Sequence, residues 1–136
     1  MPAVPRRRAR GARGARGAAV VDFVLVLAVL VPLFLGILQV ALVLLVRNTL
    51  AAAASEGARY AATADRGPAD GVARTRSQIA GAVSGRFARS VQARSAIVDG
   101  APGIVVTVHV VVPALGLGGP AVALDVAGHA VEEAPP

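Results

Sequence analysis

The chain has 136 residues, no cysteine, and a formal net charge of +6. That length leaves room for one small domain beside any membrane segment. With no disulfide available, the folded part is held by packing or by assembly. The charge is unevenly placed: Arg6, Arg7, Arg8, Arg10, Arg13 and Arg16 crowd the start, with Asp22 the only acid before Val46. From Arg47 onward eight arginines and seven acids nearly cancel. The basic balance therefore describes a leader. No aromatic or folded reader accompanies it, so a nucleic-acid partner is not expected.

The leader, residues 1–17, runs into an apolar stretch from Phe23 to Val46 in which Gln39 carries the only polar side chain. As a helix this stretch is roughly 36 Å long at ~1.5 Å per residue, enough to cross a hydrocarbon core of ~30 Å. A buried helix of a soluble protein is the alternative, but the chain has too little other apolar surface to enclose a helix greasy on every side. A cleaved secretory signal has a shorter apolar core, ~7–15 residues, although Ala51–Ala54 resembles a cleavage site. The sequence thus predicts a transmembrane helix over 18–46, with Pro32 as a kink inside it. The arginines place the N-terminus in the cytoplasm and the remainder outside.

Asp22 stands between small or apolar residues and the apolar run. An acid among headgroups is the bland explanation. A charged Asp at the centre of a membrane helix costs ~2.5–3.5 kcal/mol, and pairing with a cation offsets such a cost. Cutting after Gly17 would create that cation, the α-amino group of Ala18, one helical turn before Asp22. The pair forms within one chain or between adjacent subunits.

The stretch Gly17-Ala18-Ala19-Val20-Val21-Asp22-Phe23 resembles the processing site of type IV prepilins: a glycine, four residues, then an acid and often an aromatic. Together with Leu33-Phe34-Leu35-Gly36-Ile37-Leu38-Gln39 and Ala54-Ser55-Glu56-Gly57-Ala58-Arg59-Tyr60-Ala61-Ala62, it is similar to the TadE-like proteins. These are minor pilins or pseudopilins of the tight-adherence (Flp-type) pilus and related secretion machinery. The resemblance covers roughly residues 14–64. It implies cleavage between Gly17 and Ala18 by a prepilin peptidase, and assembly through Asp22 and Phe23. The implied partners are the membrane, other pilin-like subunits, the pilus assembly platform and the peptidase. Aspartate stands where glutamate is usual; it keeps the charge and shortens the reach by one methylene.

Beyond the membrane, alanines at 51–54, 58, 61, 62 and 64 predict a continuing helix over 47–64, either a stalk or a surface for close packing. Glu56 and Arg59 are spaced to pair, and Tyr60 is expected to pack on its own domain. The Gly, Pro and Asp cluster at 65–71 is a break. A second helix is expected over 72–93, with Ile79, Val83, Phe87 and Val91 as its apolar stripe. Its arginines read first as a solvated face, with binding to an acidic partner or to anionic lipid as the alternative, and Gly81 and Gly85 as weak helix positions, with close helix packing as the alternative. After a turn at 99–103, strict alternation predicts a strand over 104–112, with Ile104, Val106, Val108, Val110 and Val112 on one face. A Gly-rich loop at 113–120 leads to a second strand over 121–131, where Gly128 suggests a bulge. Residues 132–136 read as a frayed end. The fold class is α+β: a long N-terminal transmembrane helix continuing into a stalk, then an outer domain over 65–136 of one helix and an antiparallel hairpin.

His109 and His129 are the only histidines. With Asp125 they make a metal site only if the strand register brings them together, and a metal wants three or four ligands. No nucleophile–base constellation is visible, and Gly116-Leu117-Gly118-Gly119-Pro120 lacks the lysine and helix of a phosphate loop. The expectation is a structural subunit of the cell membrane and its surface filament, with no enzyme activity, catalytic residue, cofactor, metal or small-molecule substrate. The alternative is an uncleaved signal-anchored protein whose outer domain binds an envelope partner.

Overall fold

A computed structural model of the chain describes residues 11–114 and 121–133. Residues 1–10 of the expected leader, 115–120 of the expected Gly-rich loop and 134–136 of the end expected to fray lie outside these. The elements in order are α1 (Gly11–Ala61), α2 (Pro68–Ala82), a 3-10 turn (Gly85–Ala88), β1 (Val91–Val98), β2 (Ala101–Val112) and β3 (Val122–Val131). The strands form one antiparallel sheet in the order β1-β2-β3. This is the expected α+β class. The chain divides into two compact units, one ending at Leu38 and the next beginning at Gln39.

In the first unit α1 carries side chains exposed on all sides. Val20, Val21, Phe23 to Leu27, Val29 to Val31, Leu33, Phe34, Ile37 and Leu38 have no protein cover sufficient to bury them. Pro32 lies within the helix.

In the second unit the inner face of the sheet meets the continuation of α1. Val46, Leu50, Ala53, Ala54, Ala58, Ala61 and Ala62 recur at three- and four-residue steps and are all buried. They share one core with Ile104, Val106, Val108, Val110 and Val112 of β2, the face predicted by alternation, and with Ile79 and Val126. The larger members supply most of the hydrophobic stabilisation, at about 1.5–3 kcal/mol for each fully buried Val, Leu or Ile. The alanines let the backbones come close. Residues 47–64, set apart by the sequence as a stalk or a packing surface, are here the centre of the folded unit. The helix ends at Ala61 rather than near Ala64.

Two close approaches fix this packing. The Gly71 carbonyl of α2 would lie 2.9 Å from a Cβ placed on Gly57 of α1, and the Gly57 carbonyl 3.0 Å from one on Gly71. A Cβ on Gly128 of β3 would run into the backbone of Ala54 and Ser55. Gly128 is therefore a contact position and not a bulge: β2 and β3 pair one to one from Gly103↔Val131 to Val112↔Val122. Between the helices, the fully buried Thr75 hydroxyl donates to the Ala53 carbonyl at 3.3 Å. Thr75→Val keeps the volume and loses this bond. We expect it to destabilise the unit by about 1 kcal/mol, the usual net worth of a buried hydrogen bond, read as a lower unfolding midpoint in denaturant.

The second helix differs from expectation. It starts at Pro68, where proline's missing N–H costs nothing, and the Gly67 N–H donates to the Asp70 carboxylate at 3.0 Å. It stops at Ala82, well before residue 93. The four-residue spacing of Ile79, Val83, Phe87 and Val91 crosses three elements: the end of α2, the 3-10 turn and the start of β1. All four approach the same core, so their spacing imitates a helical stripe. Around Gly81 and Gly85 a Cβ would meet only open space, so neither is a close-packing position, and Gly85 lies beyond the helix. The freed residues form β1, which joins β2 through Asp99 and Gly100 at φ 50 and φ 84. A two-residue hairpin loop needs this left-handed backbone, which glycine adopts without penalty and aspartate tolerates. The sheet thus has three strands where a two-stranded hairpin was expected, and three strands with a buried face are stable where two are marginal.

The end of β3 is also better held than a frayed terminus. The Glu132 N–H donates to the Pro102 carbonyl at 2.9 Å, and the Glu133 N–H to the Ala62 carbonyl at 3.0 Å. On the surface Glu56 lies 3.6 Å from Arg59 and 3.4 Å from Arg74, and Arg66 stacks on Tyr60 with its guanidinium carbon 3.7 Å from the ring centre. Exposed ion pairs of this kind contribute about 0–1 kcal/mol.

Candidate functional site

The residues singled out in the sequence, Gly17, Ala18, Asp22 and Phe23, all lie on α1. All four are exposed, and a Cβ on Gly17 would meet nothing within 4 Å. Ala18 and Asp22 are spaced i, i+4 and so share one helix face. Around Asp22 the helix shows Val20, Val21, Phe23, Val24, Leu25 and Val26 to its surroundings. A carboxylate in that setting is stable in water or beside a cation, and costly in hydrocarbon without one.

The histidines and Asp125 lie on the outer face of the sheet. The β2–β3 register sets His109 opposite Asp125, and the His109 Nδ1 contacts the Asp125 carboxylate. His129 is opposite Val105, four residues along β3 from Asp125, or about 13 Å at ~3.3 Å per residue. The register therefore separates the three groups that a metal site would need. No cluster of three or more His, Asp or Glu side chains placed for a metal occurs among the described residues. The His109–Asp125 pair is exposed on both sides and forms part of the lining of an open cleft of about 570 Å³, together with Arg86, Arg89, Pro113 and Ala121. The arginines of this cleft were not set apart in the sequence from those of a solvated helix face, because their grouping depends on where the sheet ends.

Among the described residues there is one helix long and apolar enough to cross a membrane. One such helix near the N-terminus, continuing into a small α+β unit, is the make-up of a single-pass membrane protein. The family model described as TadE-like protein matches residues 17–59. Over those residues the chain is similar to the TadE-like family, the family that the sequence resemblance names. The match starts on Gly17 and runs through the apolar helix into the alanine face of the core; α2 and the sheet lie beyond it. No curated protein and no solved structure matches the chain.

Proposed function

We propose that the chain is a minor pilin or pseudopilin of a tight-adherence type pilus or a related secretion apparatus. The TadE-like match supports a pilus-associated structural protein in place of an enzyme. The observation that carries the finer reading is where the match begins: on Gly17, with Ala18, Asp22, Phe23 and the uncovered apolar helix inside it. In this reading prepilin peptidase removes the leader after Gly17, the arginines stay in the cytoplasm, and the unit from Gln39 onward lies outside. The helix then holds the subunit in the membrane until it joins other pilin-like subunits at the assembly platform.

The test is the intact mass of the protein taken from membranes of cells with an active prepilin peptidase. A chain beginning at Ala18 is expected, and Gly17→Leu is expected to leave the full-length chain. A full-length wild-type chain, with the peptidase cutting its other substrates, overturns the reading in favour of an uncleaved signal anchor. Unaltered processing of Gly17→Leu also counts against it.

A further inference from the structure

We propose that the second unit docks on the membrane surface through the end of the sheet where β2 stops and β3 starts, and that Arg86 and Arg89 there bind the phosphates of anionic lipid headgroups. This rests on the apolar part of α1 lying in a bilayer, and not on any role in a pilus.

The position of that sheet end comes from contacts within the unit. The Gln39 side-chain amide donates to the Pro113 carbonyl at 3.3 Å, so the end of β2 lies beside the first residue of the unit. Gly128 of β3 meets α1 at Ala54 and Ser55. From Gln39 to Ser55 a helix rises about 24 Å; from Val122 to Gly128 a strand advances about 20 Å. The strands therefore run alongside α1, one end of the sheet at Gln39 and the other beyond Ser55. Gln39 follows the apolar segment directly in sequence, so in this proposal the bilayer holding that segment meets the unit at its Pro113 end. Past Gln39, Val40, Leu44 and Leu45 remain exposed, by 59%, 49% and 60%. Lipid covers that apolar surface only if the unit is drawn down onto the bilayer.

Charge is distributed to match. At the far end are Asp65 and Asp70 around the start of α2, Asp99 in the β1–β2 turn, and Glu132 and Glu133 after β3, with Arg66 stacked on Tyr60 among them. Glu56, also far along α1, lies between Arg59 and Arg74. Toward the Gln39 end are Arg47 on α1, and Arg86 and Arg89 in the cleft with Pro113 and Ala121. The acid in that cleft is Asp125, which His109 contacts. Arg86 is held over the buried Phe87 ring, its guanidinium carbon 4.8 Å from the ring centre, which orders the side chain without using its N–H donors. Guanidinium donors pair with phosphate in a planar fork. The headgroup layer, some 5–7 Å deep on each side, is within reach of these side chains.

The natural chain has no cysteine, so single probes are simple to place. Full-length protein carrying a fluorophore through Ala121→Cys, or through Ile97→Cys near the opposite turn, is put into nanodiscs of phosphatidylcholine, or of an equal mixture with phosphatidylglycerol. Quenching by a headgroup-attached quencher is then read. The Ala121 probe is expected to be quenched and the Ile97 probe spared, with stronger quenching in the anionic discs. Each arginine near an anionic surface is worth about fivefold in binding. Arg86→Gln with Arg89→Gln should therefore lower the docked-to-undocked ratio roughly 25-fold and remove the dependence on phosphatidylglycerol. Arg94→Gln, an exposed change in mid β1, should leave it intact. Equal quenching of the two probes overturns the docking. Quenching at Ala121 that ignores lipid charge and both arginines overturns the phosphate role. A chain that does not co-elute with the discs overturns the membrane placement on which both depend.

Discussion

Gly128→Val is expected to destabilise the second unit strongly while leaving the apolar helix intact. The new Cβ would fall on the Ser55 nitrogen and the Ala54 carbonyl carbon. These are backbone atoms of a helix whose Ala53, Ala54 and Ala58 are already at 3% exposure or less, so no side chain can swing aside. The strand has to move off the helix and uncover the β2 valines, or the helix has to break. Overpacking a core typically costs 1–3 kcal/mol. A clash against backbone belongs at or above the upper end, so a loss of about 3 kcal/mol or more is expected. A small domain has about 5–15 kcal/mol in total. Limited proteolysis of the full chain in detergent checks this, with rapid cutting expected within β1–β3. Gly81→Ala is the control: it sits in the last turns of α2 with open space around its Cβ. Replacing a helical glycine by alanine should stabilise by about 0.5–1 kcal/mol. If Gly128→Val resists proteolysis like the unaltered chain, the close approach of β3 to α1 is wrong.

The parts of this fold that the sequence announced are those where one periodicity holds within one element. β2 alternates without a break, and its inner face is the buried set that the alternation predicts. The apolar helix is legible because nothing interrupts it except Gln39, which the structure joins to Pro113. β1 was hidden by two coincidences. Its residues Gln92, Arg94 and Ser95 are polar and exposed, so no alternation is visible, while Val91 continues a four-residue spacing begun in α2. Asp99-Gly100 was the available signal, since such a pair commonly closes a hairpin and thereby demands a strand before it as well as after. Read locally, Gly57 is a poor helix residue, Gly71 part of a break and Gly128 a bulge. Their value lies in contacts between elements distant in sequence, which local rules do not contain. The same division holds for the functional residues: Gly17 to Phe23 form one contiguous motif, whereas Arg86, Arg89 and Pro113 meet only once the sheet is built.

Asp22→Ala is expected to abolish assembly while improving, or at least preserving, membrane insertion. Removing a carboxylate from among Val20, Val21, Phe23 and Val24 relieves a cost that reaches ~2.5–3.5 kcal/mol at a bilayer centre. A residue present only for insertion would therefore not be an acid. In the proposed reading its value comes from a state in which the charge is paired, and cleavage after Gly17 would offer one cation of the right reach, the amine of Ala18. In the free monomer that pair is open to water and headgroups; between packed helices it is desolvated and stronger. In the proposed reading such a pairing would favour the assembled subunit and fix its axial stagger. Breaking a buried pair by removing one partner costs about 3–5 kcal/mol, enough to lower incorporation more than a hundredfold. Crosslinking of the variant to neighbouring subunits in membranes, with leader cleavage scored on the same sample, separates assembly from processing. Asp22→Glu provides the rescue: it restores the charge with one methylene more reach and should assemble at least as well as the natural chain. Asp22→Asn keeps the shape, loses the charge and should fail like alanine. Assembly of Asp22→Ala at the unaltered level would leave the acid as a bystander among headgroups and remove the electrostatic basis for subunit registration.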